Sequence, residues 1–138
     1  MIQIKDLMSS PVTTIGPSKT AYDAARIMND RRVSGLAVVD EDGNPVGVVT
    51  EKDLARKIIA ERLDPVAVKV GDIMSKPPIT ISSNHPIEDA VRLMAKNKIK
   101  RLPVVEGDML VGIITVTDLT RYIDYLDRIR PSMVLSYG

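Results

Sequence analysis

Short apolar runs and helical patterns alternate along the first half of the chain. Residues 12–15 are all β-branched and lead into a Gly-Pro turn, which predicts a first strand. Residues 20–31 carry apolar side chains at helical spacing behind a threonine N-cap and predict a helix. Two nearly continuous apolar runs, 36–39 and 46–49, flank an acidic turn and predict a hairpin buried on both faces. A second helix, predicted over about 50–61, completes a β-α-β-β-α unit.

The second half of the chain repeats this unit. Residues 5–9 (KDLMS) return as residues 71–75 (GDIMS), a displacement of 66 positions that falls to 65 where the acidic turn shortens by one residue. Two copies of one fold tolerate a length change that is confined to a turn. We therefore expect an α/β fold of two repeats, 1–66 and 67–138, that share a core because each alone is small. The predicted elements of the second copy are strands at 79–81, 102–105 and 110–114, a helix that begins at Pro86 and a helix over 116–130.

Composition and charge exclude several classes of function. The 138 residues carry 19 basic and 18 acidic side chains, so the net charge of +1 gives no overall field that attracts nucleic acid. The absence of cysteine excludes thiolate catalysis and sulfur-ligated zinc, and the single histidine, His85, is expected in a surface loop. The apolar runs are too short to cross a bilayer. We predict a cytoplasmic protein with no catalytic site, no metal, no membrane span and no nucleic-acid partner.

The motif Gly-x-x-Thr-x-x-Asp occurs once in each copy, at residues 47–53 and 112–118. A threonine N-cap with a carboxylate three residues later is a capping box, which needs no ligand. The same geometry suits a nucleotide, because helix N-termini attract phosphate and a carboxylate can accept hydrogen bonds from both ribose hydroxyls. Glycine inside a strand also favours a site, since it weakens the strand unless something approaches the backbone closely. Taken alone, the residues leave both interpretations open.

The chain resembles the cystathionine β-synthase (CBS) domain family. The resemblance rests on the β-α-β-β-α unit, an Asp-hydrophobic-Met start, a Leu-small-Val-Val strand and the Gly-x-x-Thr-x-x-Asp ending, each present twice in the same order. It implies a regulatory CBS pair, or Bateman module, whose two units pack through their sheets about a pseudo-twofold axis. It also implies that the clefts between the units bind an adenosine-containing ligand such as AMP, ADP, ATP or S-adenosylmethionine.

The resemblance assigns ligand-binding roles by position. Asp53 and Asp118 match the ribose-binding carboxylates, and Thr50 and Thr115 match hydroxyls that contact phosphate. The adenine is expected near the first strand and the start of the second, at positions that are equally natural for a core. The copies differ where phosphates would be bound, because the second copy is basic there and the first is not; this predicts unequal sites. The matched positions are Thr14, Ile15, Ala37, Thr80, Ile81 and Pro103 for the adenine, and Ser34, Lys100 and Arg101 for the phosphates.

The sequence leaves three functions open. The leading hypothesis is a non-catalytic sensor of AMP, ADP or ATP that regulates a separate, unidentified protein. The second is a ligand-independent homodimeric assembly module, and the third is a sensor of S-adenosylmethionine.

The last predicted helix carries a longer apolar stripe than its counterpart in the first copy. This stripe either packs on its own sheet or forms a subunit interface, and we expect a homodimer. The tail at 131–138 follows a helix-stopping proline, and it either lies against a partner chain or is loosely ordered.

Overall fold

The computed structural model describes residues 1–129 of the chain. Within them it contains two three-stranded sheets and the helices between their strands, so the predicted α/β fold of two repeats is confirmed. The predicted tail at 131–138 lies outside the described residues. The elements are α1 (Ile4–Leu7), β1 (Thr14–Ile15), α2 (Ala21–Arg31), β2 (Gly35–Val39), β3 (Pro45–Thr50), α3 (Glu51–Leu54), a π-helical segment (Ala55–Ile59), α4 (Val70–Ile73), β4 (Ile81–Ser82), α5 (Ile87–Asn97), β5 (Arg101–Glu106), β6 (Met109–Thr115) and α6 (Val116–Ile129).

Both sheets have the same strand order, β1-β2-β3 in one and β4-β5-β6 in the other. The first strand of each sheet runs parallel to the second, with Thr14 opposite Ala37 and Ile81 opposite Val104. A parallel connection needs a crossover, and α2 and α5 supply it. Among residues 1–129, no helix is long and apolar enough to cross a membrane.

The crossover helices begin and end at specific residues. A capping box opens α2: the backbone N–H of Asp23 donates to Thr20 Oγ1 at 3.1 Å, and that of Thr20 donates to Asp23 Oδ2 at 3.0 Å. Hydrogen bonds to the Asp23 carboxylate, first from the Thr20 backbone and then from the Thr20 side chain, hold the pKa of Asp23 below its ordinary value. Pro86 is the N-cap of α5, so this helix begins one residue later than predicted. Both helices end in a left-handed residue, Arg32 in one and Lys98 in the other.

The described chain forms two compact units, and each unit contains the opening segment of the other sequence repeat. One unit contains residues 1–10 together with 80–106 and 111–129, and the other contains residues 11–79 and 107–110. The short helix α1 therefore belongs with the second sheet, and α4 belongs with the first. Neither helix was predicted from the apolar pattern, because each has only four residues.

The exchanged segments are buried parts of their units. Ile4 of α1 has no exposed surface. In the other unit, Val70 and Ile73 of α4 are 0% and 5% exposed and join the hydrophobic cluster around Leu36 and Val49. Each sheet is thus completed by apolar residues from the other repeat.

Each exchanged segment also pairs with the third strand of the sheet that it covers. Ser9 and Ile113 exchange two backbone hydrogen bonds, at 2.9 and 3.1 Å, and Val48 and Ser75 do the same at 3.1 and 2.9 Å. In each pair the two chain segments run antiparallel. Each segment therefore adds a one-residue bridge at the edge of a sheet, beside β6 or β3.

The strand glycines lie directly beneath these segments. A Cβ atom on Gly112 would lie 2.6 Å from Met8 Sδ and 2.9 Å from the Ser9 carbonyl oxygen. A Cβ atom on Gly47 would meet the corresponding Met-Ser pair at 2.5 and 2.9 Å. The close approach that these glycines allow is thus made by the chain itself. This corrects the argument that glycine inside the strand favours a ligand site.

We expect Gly112→Ala to lower the free energy of unfolding by about 1–3 kcal/mol, because the added methyl group forces Met8 and the Ser9 backbone away from β6. Urea denaturation measures this. Gly16→Ala is the matched control, since nothing lies within 4 Å of a Cβ atom there. Equal stability of the two variants would show that the segment is free to move off the strand.

Candidate functional site

The two Gly-x-x-Thr-x-x-Asp motifs form the same hydrogen-bonded structure at the starts of α3 and α6. The Thr50 N–H donates to Asp53 Oδ2 at 2.9 Å, and the Asp53 N–H donates to Thr50 Oγ1 at 3.3 Å. At Thr115 and Asp118 the same two distances are 2.8 and 3.3 Å. The threonine hydroxyls also donate to the same carboxylate oxygens, at 3.2 and 3.1 Å. The capping boxes are present, and they use Oδ2 of each carboxylate.

The second oxygen of each carboxylate contacts a cation from the next helical turn. Arg121 Nη2 donates to Asp118 Oδ1 at 3.1 Å, and Lys57 Nζ lies 3.1 Å from Asp53 Oδ1. The carboxylate side chains are only 4% and 12% exposed, whereas those of Arg121 and Lys57 are 74% and 45% exposed. Each site therefore has a buried carboxylate whose Oδ1 partner is a solvent-accessible cation. Arg121 is largely exposed, so water can hydrate its guanidinium when it leaves Asp118, and it can exchange for another donor.

The residues before the second strand lie at the same helix starts. The backbone N–H of Glu51 donates to the Ser34 carbonyl at 3.0 Å, and that of Val116 donates to the Lys100 carbonyl at 2.9 Å. The structure thus brings Ser34 to the motif that ends in Asp53. It brings Lys100, and Arg101 next to it, to the motif that ends in Asp118.

The residues predicted to contact adenine lie in or beside the cores of the two units. Ala37 and Pro103 are fully buried, and Ile15 and Ile81 are each 4% exposed. Their side chains pack as core residues do, and a contact with adenine stays a prediction. Thr14 and Thr80, the two hydroxyl-bearing members of this set, are partly buried.

Thr80 and Ile81 line a groove of about 400 Å³ between β4 and α5. His85 lies on its wall, with Nδ1 2.8 Å from Asp89 Oδ2, and Arg92 donates to the other oxygen of Asp89 at 3.1 Å. The His85 side chain is 49% exposed, as expected of a surface loop. Within residues 1–129, no group of three or more His, Cys, Asp or Glu side chains is arranged to hold a metal ion.

Asp118 lines a different pocket in the same unit, with a volume of about 420 Å³. One wall is a single face of α6, where the spacing i, i+3, i+4, i+7 places Asp118, Arg121, Tyr122 and Tyr125 together. The other wall belongs to the exchanged opening segment. Its members are Ile2, Asp6 and Leu7. The spacing on α6 was visible in the sequence, but the opposite wall depends on the exchange of segments, and sequence reasoning did not identify it.

Both halves of the chain match a known family model. The CBS domain model matches residues 4–60 and again residues 70–125. The chain belongs to the CBS domain family. Pairs of these domains act as regulatory modules.

The CBS pair has relatives in bacteria and archaea. It is 36% identical over 121 residues to the uncharacterized protein YlbB of Bacillus subtilis, covering 87% of this chain and 81% of that protein. It is 32% identical over 126 residues to the uncharacterized protein MK0525 of Methanopyrus kandleri, covering 91% of this chain. This chain spans 64% of the length of MK0525, so that protein contains further sequence.

Solved structures of other CBS proteins have the same fold. The CBS pair of protein MJ0100, in complex with 5′-methylthioadenosine and S-adenosyl-L-methionine, has a TM-score of 0.83 and 29% identity over 90% of this chain and 97% of that one. The hexameric CBS-CP12 protein from bloom-forming cyanobacteria has a TM-score of 0.79 and 29% identity over 100% of this chain and 89% of that one. CBS pairs of this fold thus include a protein that binds adenosine-containing ligands and one that assembles into oligomers.

We expect Thr115→Val to lower the free energy of unfolding by about 1 kcal/mol, because it removes the hydroxyl that caps α6 while keeping the shape of the side chain. Thr115→Ser should restore most of the loss. Thr117→Val, at an exposed position two residues later, controls for the general effect of replacing a threonine hydroxyl by a methyl group. Urea denaturation of the three variants is the measurement, and equal losses at residues 115 and 117 would contradict a capping role.

Proposed function

We propose that this CBS pair is a non-catalytic sensor that binds AMP, ADP or ATP and regulates a separate protein. The observation that carries the proposal is the buried carboxylate of Asp118. It lines a pocket of about 420 Å³, and its Oδ1 accepts a hydrogen bond from the exposed side chain of Arg121. The paired hydroxyls of a ribose are suitable donors to replace that arginine. Asp53 supplies the same group in the other unit.

The phosphates are assigned to the start of α6. A helix of 14 residues presents the positive end of its dipole there. Lys100 and Arg101 lie beside this helix start through the hydrogen bond between Val116 and Lys100. In the other unit Ser34 takes the place of Lys100, so the phosphate has less positive charge to meet.

The adenine is assigned to the apolar surface closest to Asp118. Ile2, Leu7, Tyr122 and Tyr125 provide this surface in the pocket. Stacking against an aromatic side chain stabilises a bound base. This placement differs from the strand residues that the family resemblance implies for the adenine, and those residues stay a prediction.

Binding of S-adenosylmethionine is the second candidate, because MJ0100 binds it together with 5′-methylthioadenosine. Both candidates share the adenosine, which Asp118 and the pocket would hold in the same way. The positive charge of Lys100 and Arg101 favours a phosphate over a sulfonium ion. The regulated protein and a cytoplasmic location remain parts of the proposal.

We expect AMP, ADP and ATP to raise the melting temperature more than adenosine does, since only they meet the helix start and its basic residues. At a hundred times the dissociation constant, one site adds about 2.7 kcal/mol, or several degrees for a chain of this length. Asp118→Asn should reduce the shift by removing the ribose acceptor's charge. Asp124→Asn, an exposed carboxylate on the same helix, is the matched control.

The salt dependence of the melting-temperature shift, and its response to loss of the basic residues, distinguish the nucleotide sensor from the S-adenosylmethionine sensor. The shift by nucleotides should fall with added salt, and Lys100→Ala with Arg101→Ala should lower it more than the shift by adenosine. A shift by S-adenosylmethionine alone would favour the second candidate. No shift with any of these compounds would favour the ligand-independent assembly module.

The homodimer is assigned to α6. Leu119, Tyr122 and Leu126 are partly buried, whereas Val116 and Ile123, seven residues apart at one edge of the stripe, are 43% and 57% exposed. The helix therefore packs within its own unit and still presents an apolar edge, which is compatible with both predictions for the stripe. The hexameric CBS-CP12 protein supports assembly through this fold.

We expect Ile123→Asp to shift the protein from dimer to monomer, because a charge at this edge loses its hydration if a second copy covers it. Light scattering after size exclusion measures the mass. Thr117→Asp adds the same charge on an exposed position of the same helix and should leave the dimer intact. A dimer that persists in Ile123→Asp would exclude α6 as the interface.

A further inference from the structure

The ammonium group of Lys57 makes two contacts inside its unit. Its Nζ lies 3.1 Å from Asp53 Oδ1 and donates to the backbone carbonyl of Ile73 at 2.7 Å. Asp53 follows the cap of α3, and Ile73 is the last residue of α4, which comes from the exchanged segment. Lys57 thus connects α3, which carries the carboxylate, with α4 from the exchanged segment.

The corresponding place in the other unit is a pocket. Tyr122 stands four residues after Asp118, as Lys57 stands four residues after Asp53, and Leu7 corresponds to Ile73 in the repeat. Tyr122 and Leu7 line opposite walls of the 420 Å³ pocket. The cation that holds Asp118 there is Arg121, which is one residue earlier and 74% exposed.

These contacts affect ligand binding differently at the two carboxylates. A ribose that approaches Asp118 exchanges with one largely exposed arginine contact. A ribose that approaches Asp53 must displace an ammonium group from the carboxylate and also leave the Ile73 carbonyl without its donor. Ile73, the last residue of α4, is buried, with 5% of its surface exposed. Breaking a hydrogen bond to a charged group and leaving a buried acceptor unpaired reduces affinity by about tenfold to a hundredfold.

We infer that the two sites are inequivalent, the Asp118 site being open and the Asp53 site being closed by Lys57 until the lysine moves out. This inference rests on the proposed function and specifies its regulation. Because Lys57 is 45% exposed, its side chain has solvent into which it can move. The chain then binds one nucleotide at low concentration and a second only at a higher concentration.

Calorimetric titration of the full chain with AMP, and with ATP in parallel, tests the order of binding. We expect wild-type protein to bind one AMP per chain tightly. Asp118→Asn should remove this binding, and Asp53→Asn should retain it. Lys57→Met should tighten the second site by about tenfold or more.

Two further variants control this titration. Arg56→Met removes the neighbouring positive charge from the same helical segment, and its second site should stay weak. Lys57→Gln removes the charge but retains a donor for the Ile73 carbonyl, so it keeps the experiment interpretable if Lys57→Met does not fold. Thermal melts without ligand check that each variant is folded.

The outcomes separate this inference from the proposed function. Two equal sites in wild-type protein, or a second site that Lys57→Met weakens or leaves unchanged, would overturn the inference while nucleotide binding stands. Weakening would mean that Lys57 binds the phosphate instead of closing the site. If neither wild-type protein nor Lys57→Met binds AMP or ATP, the inference and the nucleotide sensor both fall.

Discussion

The close packing of a Met-Ser segment against a strand glycine is the contact on which the rest of each unit depends. Met8 and Ser9 lie over Gly112, where a side chain of any size would collide with them. The backbone hydrogen bonds between Ser9 and Ile113 then hold the segment in register. Through this contact α1 becomes a wall of the second unit, and α4 becomes a wall of the first. Without it, the apolar side chains of these short helices would be exposed to water and neither carboxylate would face a second wall.

The geometry of the Asp118 site depends on this packing of the exchanged segment. A capping box at the start of α6 orients the Asp118 carboxylate and leaves one oxygen for another partner. The exchanged segment brings Ile2, Asp6 and Leu7 opposite this helix and so encloses a pocket. At Asp53 the same backbone design has a lysine that reaches across to the exchanged helix. One repeated fold therefore produces two chemically different sites, because a few side chains near each carboxylate have changed.

Most of the fold was predictable from the apolar pattern, and part of the site was predictable from the motifs. The hairpin, the crossover helices and the capping boxes are local features, and the residues at 20–23 and 50–53 indicate their hydrogen bonds directly. The strand glycines indicate places of close approach, and the sequence pattern favours a ligand as the partner. The partner is Met8 or Met74, which no local pattern indicates. The helices α1 and α4 were missed because four residues give too short a periodicity to detect.

The sequence by itself determined that the chain is two copies of one β-α-β-β-α unit in the CBS family, because repeats, turns and helix caps depend on residues close together along the chain. Only the tertiary structure decided which opening segment covers which sheet, and hence which side chains stand opposite each carboxylate. That choice depends on contacts between residues far apart in sequence, such as Leu7 with the pocket at Tyr122 and Lys57 with the carbonyl of Ile73. Equivalent motifs cannot reveal it, since the difference between the two sites lies in what packs against them.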